Sequence, residues 1–171
     1  MIVLMAGLPG TGKSTLARAL ASRLSGSALS KDEIRHALFS DGDVEYSTEQ
    51  DDFVLQIMLE TAGWILRKHP ERAVFLDGRT FSRRYQIDRV IEAAQKLRQR
   101  WQIVECVCSE GSVRRRIELQ ASAKEHPADN RDFQLYLAVK ARFEPITLPK
   151  TVIDTDLPLE ECVDRALAAL R

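Results

Sequence analysis

Gly7-Leu8-Pro9-Gly10-Thr11-Gly12-Lys13-Ser14, followed by Thr15, match the pattern G-x-x-x-x-G-K-[ST] at every fixed position. The residue types define a chemistry. Glycines let the backbone close around an oxyanion without Cβ clashes. Successive N–H groups then point inward as an anion nest, and a helix N-terminus behind them adds partial positive charge. Lys13 would neutralise the β- and γ-phosphates of a nucleotide, and Ser14 would be a magnesium ligand. Gly7, Leu8, Pro9, Gly10, Thr11, Gly12, Lys13, Ser14 and Thr15 are therefore the candidate nucleotide-binding residues.

Two further stretches carry chemistry. Ala73-Val74-Phe75-Leu76-Asp77 is an apolar run ending in an acid. At a strand's carboxyl end, where open α/β sheets place ligands, Asp77 would hold magnesium through water or orient substrate. Ser30-Lys31-Asp32-Glu33-Ile34-Arg35 follows a short strand candidate. Asp32 beside an acceptor could take the proton of an attacking hydroxyl. Arg35, one helical turn on, could hold an anionic group. The alternative is that Asp32 caps a helix and Arg35 is solvated.

The elements that position these residues alternate. Ile2–Ala6 reads as a strand buried on both faces. Helical spacing follows over 14–24, a strand over 27–30, a helix over 31–39 and an acidic turn over 40–46. A long helix is expected over 47–68, with Ser47 and Gln50 in capping-box spacing and Pro70 beyond its end. Strands over 72–76, 101–108 and 151–153 alternate with helices over 84–100, 110–120, 132–143 and 158–171. Residues 125–131 read as a polar loop. This order predicts a single α/β domain spanning 1–171, with parallel strands and helices on both faces.

Composition sets outer bounds. The 171 residues suit one domain and leave no room for a motor ATPase of several domains. Lys plus Arg and Asp plus Glu number 25 each. Zero net charge argues against a surface devoted to nucleic acid. Cys106, Cys108 and Cys162 form no disulfide framework, so a reducing cytoplasm is the expected setting. Cys106 and Cys108 are expected on one strand face. No apolar run reaches the ~18 residues of a membrane span, and no N-K-x-D motif for guanine selection is present. His36, His69 and His126 show no metal-ligand spacing.

GLPGTGKST, SKDEIR, VFLDGRTFSRR and the helix SVRRRIEL before a polar loop together resemble the small P-loop kinases of the predicted-kinase group. Their relatives include 5′-hydroxyl polynucleotide kinases, gluconate kinases, chloramphenicol phosphotransferase and zeta-toxin kinases. The resemblance covers roughly residues 1–145. It implies a three-layer P-loop NTPase fold with a five-stranded parallel sheet in the order 2-3-1-4-5 and a helical lid. It further implies ATP, Mg2+ and phosphoryl transfer to a hydroxyl. By this resemblance Asp32 falls on the general base, Arg35 on an arginine near the acceptor and Asp77 on the strand-end aspartate. Arg83 and Arg84 fall on a basic pair that follows it. Residues 114–131 match the lid, with Arg116 as its first arginine, serving both nucleotide binding and catalysis. Many relatives carry a second arginine four residues later, where this chain has Gln120; Lys124 and Arg131 are the candidate replacements.

Charge by segment bears on the acceptor. Residues 31–60 hold two bases against nine acids, a net of −7, while residues 79–100 hold seven bases against two acids, a net of +5. The acidic stretch disfavours a polyanionic acceptor, while a single phosphate or carboxylate remains compatible with the basic one. The expected activity is therefore ATP-dependent transfer of the γ-phosphate to a small-molecule hydroxyl, by a monomer or homodimer with no membrane partner. The alternatives are a 5′-hydroxyl nucleic acid kinase and a nucleotide-sensing interaction module without kinase activity.

Overall fold

A computed structural model describes residues 1–123 and 132–171, with side chains described through residue 119 and again from residue 132. Five strands form one parallel sheet: β1 (Ile2–Ala6), β2 (Ser27–Ser30), β3 (Val74–Asp77), β4 (Trp101–Val107) and β5 (Thr151–Asp154). Their order is β2-β3-β1-β4-β5, as the resemblance implies. Helices α1 (Lys13–Arg23), α2 (Lys31–Leu38), α3 (Thr48–Lys68), α4 (Arg84–Lys96), α5 (Glu110–Ala123), α6 (Phe133–Ala141) and α7 (Leu159–Leu170) connect and cover the strands.

The two faces of β1 build the two halves of the core. Ile2, Leu4 and Ala6 pack with Val54, Leu55 and Met58 of α3 and Ile87 and Val90 of α4. Val3 and Met5 face the other way, against Leu16 and Leu20 of α1 and Val163 and Ala166 of α7. The period of two along a strand enforces this division, and a strand covered on both faces has no polar side. Fully burying each large aliphatic side chain contributes roughly 1.5–3 kcal/mol.

Helix starts follow local chemistry. The Ser30 hydroxyl accepts from the Glu33 N–H at 3.3 Å and starts α2. Ser47 caps α3 by accepting from the Gln50 N–H at 3.1 Å. The expected box is only half made, because the Gln50 side chain turns back to the preceding loop. Its Oε1 accepts from the Glu45 N–H at 2.8 Å and its Nε2 donates to the Asp43 carbonyl at 2.9 Å. Two bonds of the Gln50 amide, one accepted and one donated, thus pin the acidic turn, which holds a short 3₁₀ segment at Asp41–Asp43.

The two neighbouring cysteines separate. Strand β4 ends at Val107, so Cys106 stays in the core while Cys108 leaves the sheet and packs beside Val113 and Ile117. Burial pushes the Cys106 thiol up to about 12, which leaves it an inert apolar group. No described helix is long and apolar enough to cross a membrane.

Candidate active site at the carboxyl edge of the sheet

Because every strand is parallel, the segments after β1, β2 and β3 all leave from one edge. The loop after β1 takes up the anion-nest geometry, with Gly7, Gly10 and Gly12 at φ of 128°, 78° and 81°. At Gly7 a Cβ would lie 2.3 Å from the Cys106 carbonyl oxygen, so no side chain fits there. Lys13 is 4% exposed and its Nζ donates to the Leu8 carbonyl at 2.8 Å, folding the ammonium over its own loop. Thr11 Oγ1 donates to the same carbonyl at 2.8 Å. Pro9 and Gly10 are buried, Ser14 is half-buried at the first turn of α1, and Thr15 is exposed.

Asp77 ends β3, the strand between β1 and β2, and is buried. Its Oδ1 has no hydrogen-bond partner among the described residues. A buried carboxylate oxygen left unpaired is costly. It fits a site for a hydrated cation, since magnesium keeps several waters and takes few protein ligands. No group of three or more His, Cys, Asp or Glu able to hold a metal occurs among the described residues. Ser14, Asp77 and the phosphates of a nucleotide are the donor set that would suit Mg2+.

Ser30 and Asp77 are register partners in the β2–β3 pairing, so α2 and the loop after β3 emerge side by side. Gly78 permits that closeness: its φ is 90°, and a Cβ would lie 2.9 Å from the Lys31 Cβ. Asp32 is not the cap of α2; it is buried, with its Oδ1 3.4 Å from Lys31 Nζ and 3.3 Å from Arg35 Nη1. Arg35 is fully buried rather than solvated.

The sequence reading missed four partners in this cluster. Asp51, in the first turn of α3, accepts from Lys31 Nζ at 2.5 Å and from Arg35 Nη2. Burial alone would raise the Asp51 carboxyl. The Lys31 ammonium, with Arg35 and Arg79, outweighs burial and holds it below the ordinary carboxylate value. The next residue, Asp52, accepts from Arg79 Nη2 at 2.5 Å and lies 3.4 Å from Arg89 Nη1. Arg79 is itself buried. Two adjacent acids in the first turn of a helix, and an arginine two residues after Asp77, were the available signals. Arg83 and Arg84, which resemblance singles out, instead pair at the surface with Glu144 at 2.7 Å and Asp88 at 2.7 Å.

This pairing changes the meaning of the acidic stretch. Asp32, Asp51 and Asp52 are matched by Lys31, Arg35, Arg79 and Arg89. The remaining acids of residues 31–60 are exposed. The site therefore does not carry the net charge of its segment.

Helix α5 meets the phosphate loop from the other side. Val113 and Ile117 of α5 pack with Leu8 and with Tyr136 of α6. Arg116 donates through Nη1 to Thr155 Oγ1 at 3.0 Å and through Nη2 to the Thr155 carbonyl at 2.5 Å. Thr155 Oγ1 also reaches the Thr11 carbonyl at 2.9 Å, so one threonine after β5 ties α5 to the phosphate loop. Asp156 accepts from the Ser109 N–H at 2.9 Å, and hydrogen bonds from Ser112 and Ser109 pull its carboxyl down to about 2. The side chain of Gln120, together with His126, Lys124, Arg131 and the 125–131 loop, lies outside the described residues.

The chain is similar in fold to kinases. A chain from Chloroflexus aurantiacus, described provisionally as a kinase, superposes with a TM-score of 0.77 at 24% identity, over 99% of this chain and 98% of that one. A gluconokinase from Sinorhizobium meliloti gives 0.69 at 20% identity, over 99% and 90%. The Mycobacterium tuberculosis APS kinase, solved in complex with AMPPNP and APS, gives 0.72 at 17% identity, over 99% and 96%. No curated protein matches the sequence. A family model described as an AAA domain matches residues 2–146. The phosphate loop, the 2-3-1-4-5 sheet and that match agree: the chain belongs to the AAA_33 family of AAA domains and has the P-loop NTPase fold.

Proposed function

We propose that the protein transfers the γ-phosphate of ATP to a hydroxyl of a small-molecule acceptor. The observation that carries this reading is the order of groups along one sheet edge. The phosphate loop leaves β1, Asp77, whose Oδ1 has no partner among the described residues, ends the adjacent β3, and the buried Asp32 follows β2. A donor phosphate, a cation position and a base are thereby supplied by three neighbouring strands. The kinase neighbours, one solved with a nucleotide analogue, support the same reading.

In this mechanism the backbone N–H groups of residues 10–14 and the Lys13 ammonium hold the phosphates, and Lys13 exchanges its bond to the Leu8 carbonyl for phosphate oxygens. Bound between Ser14, Asp77 and the nucleotide, Mg2+ would neutralise charge on the phosphates. Lys31 and Arg35 fix the Asp32 carboxylate in orientation. Asp32 takes the proton as the acceptor oxygen bonds to the γ-phosphorus. The bond from that phosphorus to the bridging oxygen breaks, and ADP departs with the electron pair. Arg116, held by Thr155 beside the loop, is positioned to steady the donor nucleotide and the transferring group.

The test is an ADP-release screen with ATP and Mg2+ against polyols, sugars, nucleosides, antibiotics and oligonucleotides. One small hydroxyl compound should raise ATP consumption well above the water rate. Stimulation by oligonucleotides alone, with strong salt dependence, would favour the nucleic acid reading instead. ATP binding with no stimulation anywhere would favour a sensing module.

A further inference from the structure

Arg79 is 3% exposed, yet its Nε and Nη1 have no hydrogen-bond partner among the described residues. Arg35, fully buried, likewise leaves its Nε unpaired. Each guanidinium is anchored at Nη2 on one of two consecutive acids, Asp51 for Arg35 and Asp52 for Arg79. The two are close enough for Arg79 to act on the Asp51 carboxyl as well. Unsatisfied buried donors are rare and expensive, above all on charged groups. Here several gather beside the proposed base, in a cluster where the cations Lys31, Arg35, Arg79 and Arg89 face the acids Asp32, Asp51 and Asp52. The excess is one positive charge, with N–H groups to carry it.

We propose that Arg79, backed by Arg35, binds a compact oxyanion carried by the acceptor, a phosphate or a carboxylate, so that the acceptor is an anionic hydroxyl compound. This rests on the kinase reading above and names its substrate class. The two free donors of Arg79, Nε–H and Nη1–H, lie on different edges of the guanidinium, so each offers a separate charge-assisted hydrogen bond to an oxygen of such a group. Asp52 holds the guanidinium at Nη2, and burial strengthens the bonds its free N–H groups make. Tyr46 is 40% exposed and lies under Arg35 at 5.3 Å; Tyr85 is 43% exposed and reaches Asp52 at 3.5 Å. Asp32, on the same cluster, then meets the hydroxyl to be phosphorylated.

The direct test follows the arginine Nε–H resonances of the full chain by NMR. Saturating AMPPNP and Mg2+ occupy the phosphate loop, and the Arg79 signal is assigned by its loss in Arg79→Lys. Inorganic phosphate and then acetate are the probes. A saturable shift of the Arg79 and Arg35 signals with phosphate, acetate or both is expected, and the stronger probe identifies the group. An Arg79 signal that neither probe moves overturns the proposal. A second arm compares neutral polyols with their phosphorylated and acidic counterparts as acceptors. The anionic member should have a KM lower by about tenfold or more, and Arg79→Gln should remove that advantage while AMPPNP affinity stays unchanged. Should Arg79→Gln fail to fold, Arg79→Gln with Asp52→Asn removes the charge pair together. Saturable shifts with no phosphorylated product from any acceptor would leave the anion site standing and overturn the kinase reading. Equal use of neutral and anionic acceptors, with a silent Arg79, would do the reverse.

Discussion

Arg35 has no exposed surface and is joined through Nη2 to Asp51, a residue from a different helix that also receives Lys31 at 2.5 Å. The bond links α2 to the first turn of α3 beside Asp32. Removing one partner of a buried ion pair costs about 3–5 kcal/mol. Asp51 keeps partial exposure and Arg35 keeps Asp32, so Asp51→Ala should cost less, roughly 2–4 kcal/mol, or a Tm drop of about 5–15 °C. Differential scanning calorimetry at neutral pH measures it.

The same pair predicts a pH dependence. Asp51 is held below its ordinary value in the folded chain, so its stabilisation is fully present above that value and is lost as pH falls through the lowered one. Wild type should lose stability below about pH 4, and Asp51→Asn should show a flatter acid limb over the same range. Parallel limbs in urea titrations at pH 3 to 6 would contradict the assignment.

Gly78 should tolerate no side chain. Its φ of 90° disfavours L-residues, and a Cβ would sit 2.9 Å from the Lys31 Cβ. Gly78→Ala is expected to cost about 1–3 kcal/mol. It should also raise acceptor KM, because Lys31 and Asp32 are the residues displaced. Nucleotide affinity should change little. A thermal melt and a KM measurement on the two substrates separate these effects.

Thr155 is predicted to support nucleotide binding without being in the phosphate loop. Its hydroxyl accepts from Arg116 and donates to the Thr11 carbonyl. Thr155→Val should weaken ATP analogue binding by roughly 5–30-fold, from the loss of two hydrogen bonds worth about 0.5–1 kcal/mol each. Thr155→Ser should restore it. Calorimetric titration with AMPPNP is the check.

Much of this architecture was legible because it is locally encoded. Ile2–Ala6 is apolar on both faces, and the glycines that follow it specify the loop, so strand, loop and helix could be read from adjacent residues. The resemblance carried the sheet order. The charged cluster around Asp51 and Asp52 was not legible, because its links join residues 16 to 37 positions apart, as between Arg35 and Asp51 or Asp52 and Arg89. Net charge by segment misled for the same reason: Asp51 and Asp52 are matched by cations on other elements. Arg83 and Arg84 follow the motif in sequence, but the turn after Gly78 buries Arg79 instead.

Lys13 and Asp32 should separate binding from chemistry. Lys13→Ala should weaken nucleotide binding by about 10–100-fold, since a charged hydrogen-bond donor to the phosphates is lost. Asp32→Asn should leave that binding within about twofold of wild type, because Asp32 faces Lys31 and Arg35 rather than the phosphate loop.

The most direct test of the whole account is single-turnover transfer of labelled γ-phosphate from ATP to the acceptor found in the screen, by wild type and by Asp32→Asn at saturating nucleotide. The account predicts labelled acceptor with wild type and a rate about 10²–10⁴-fold lower with Asp32→Asn. An Asp32→Asn rate equal to that of wild type would contradict it.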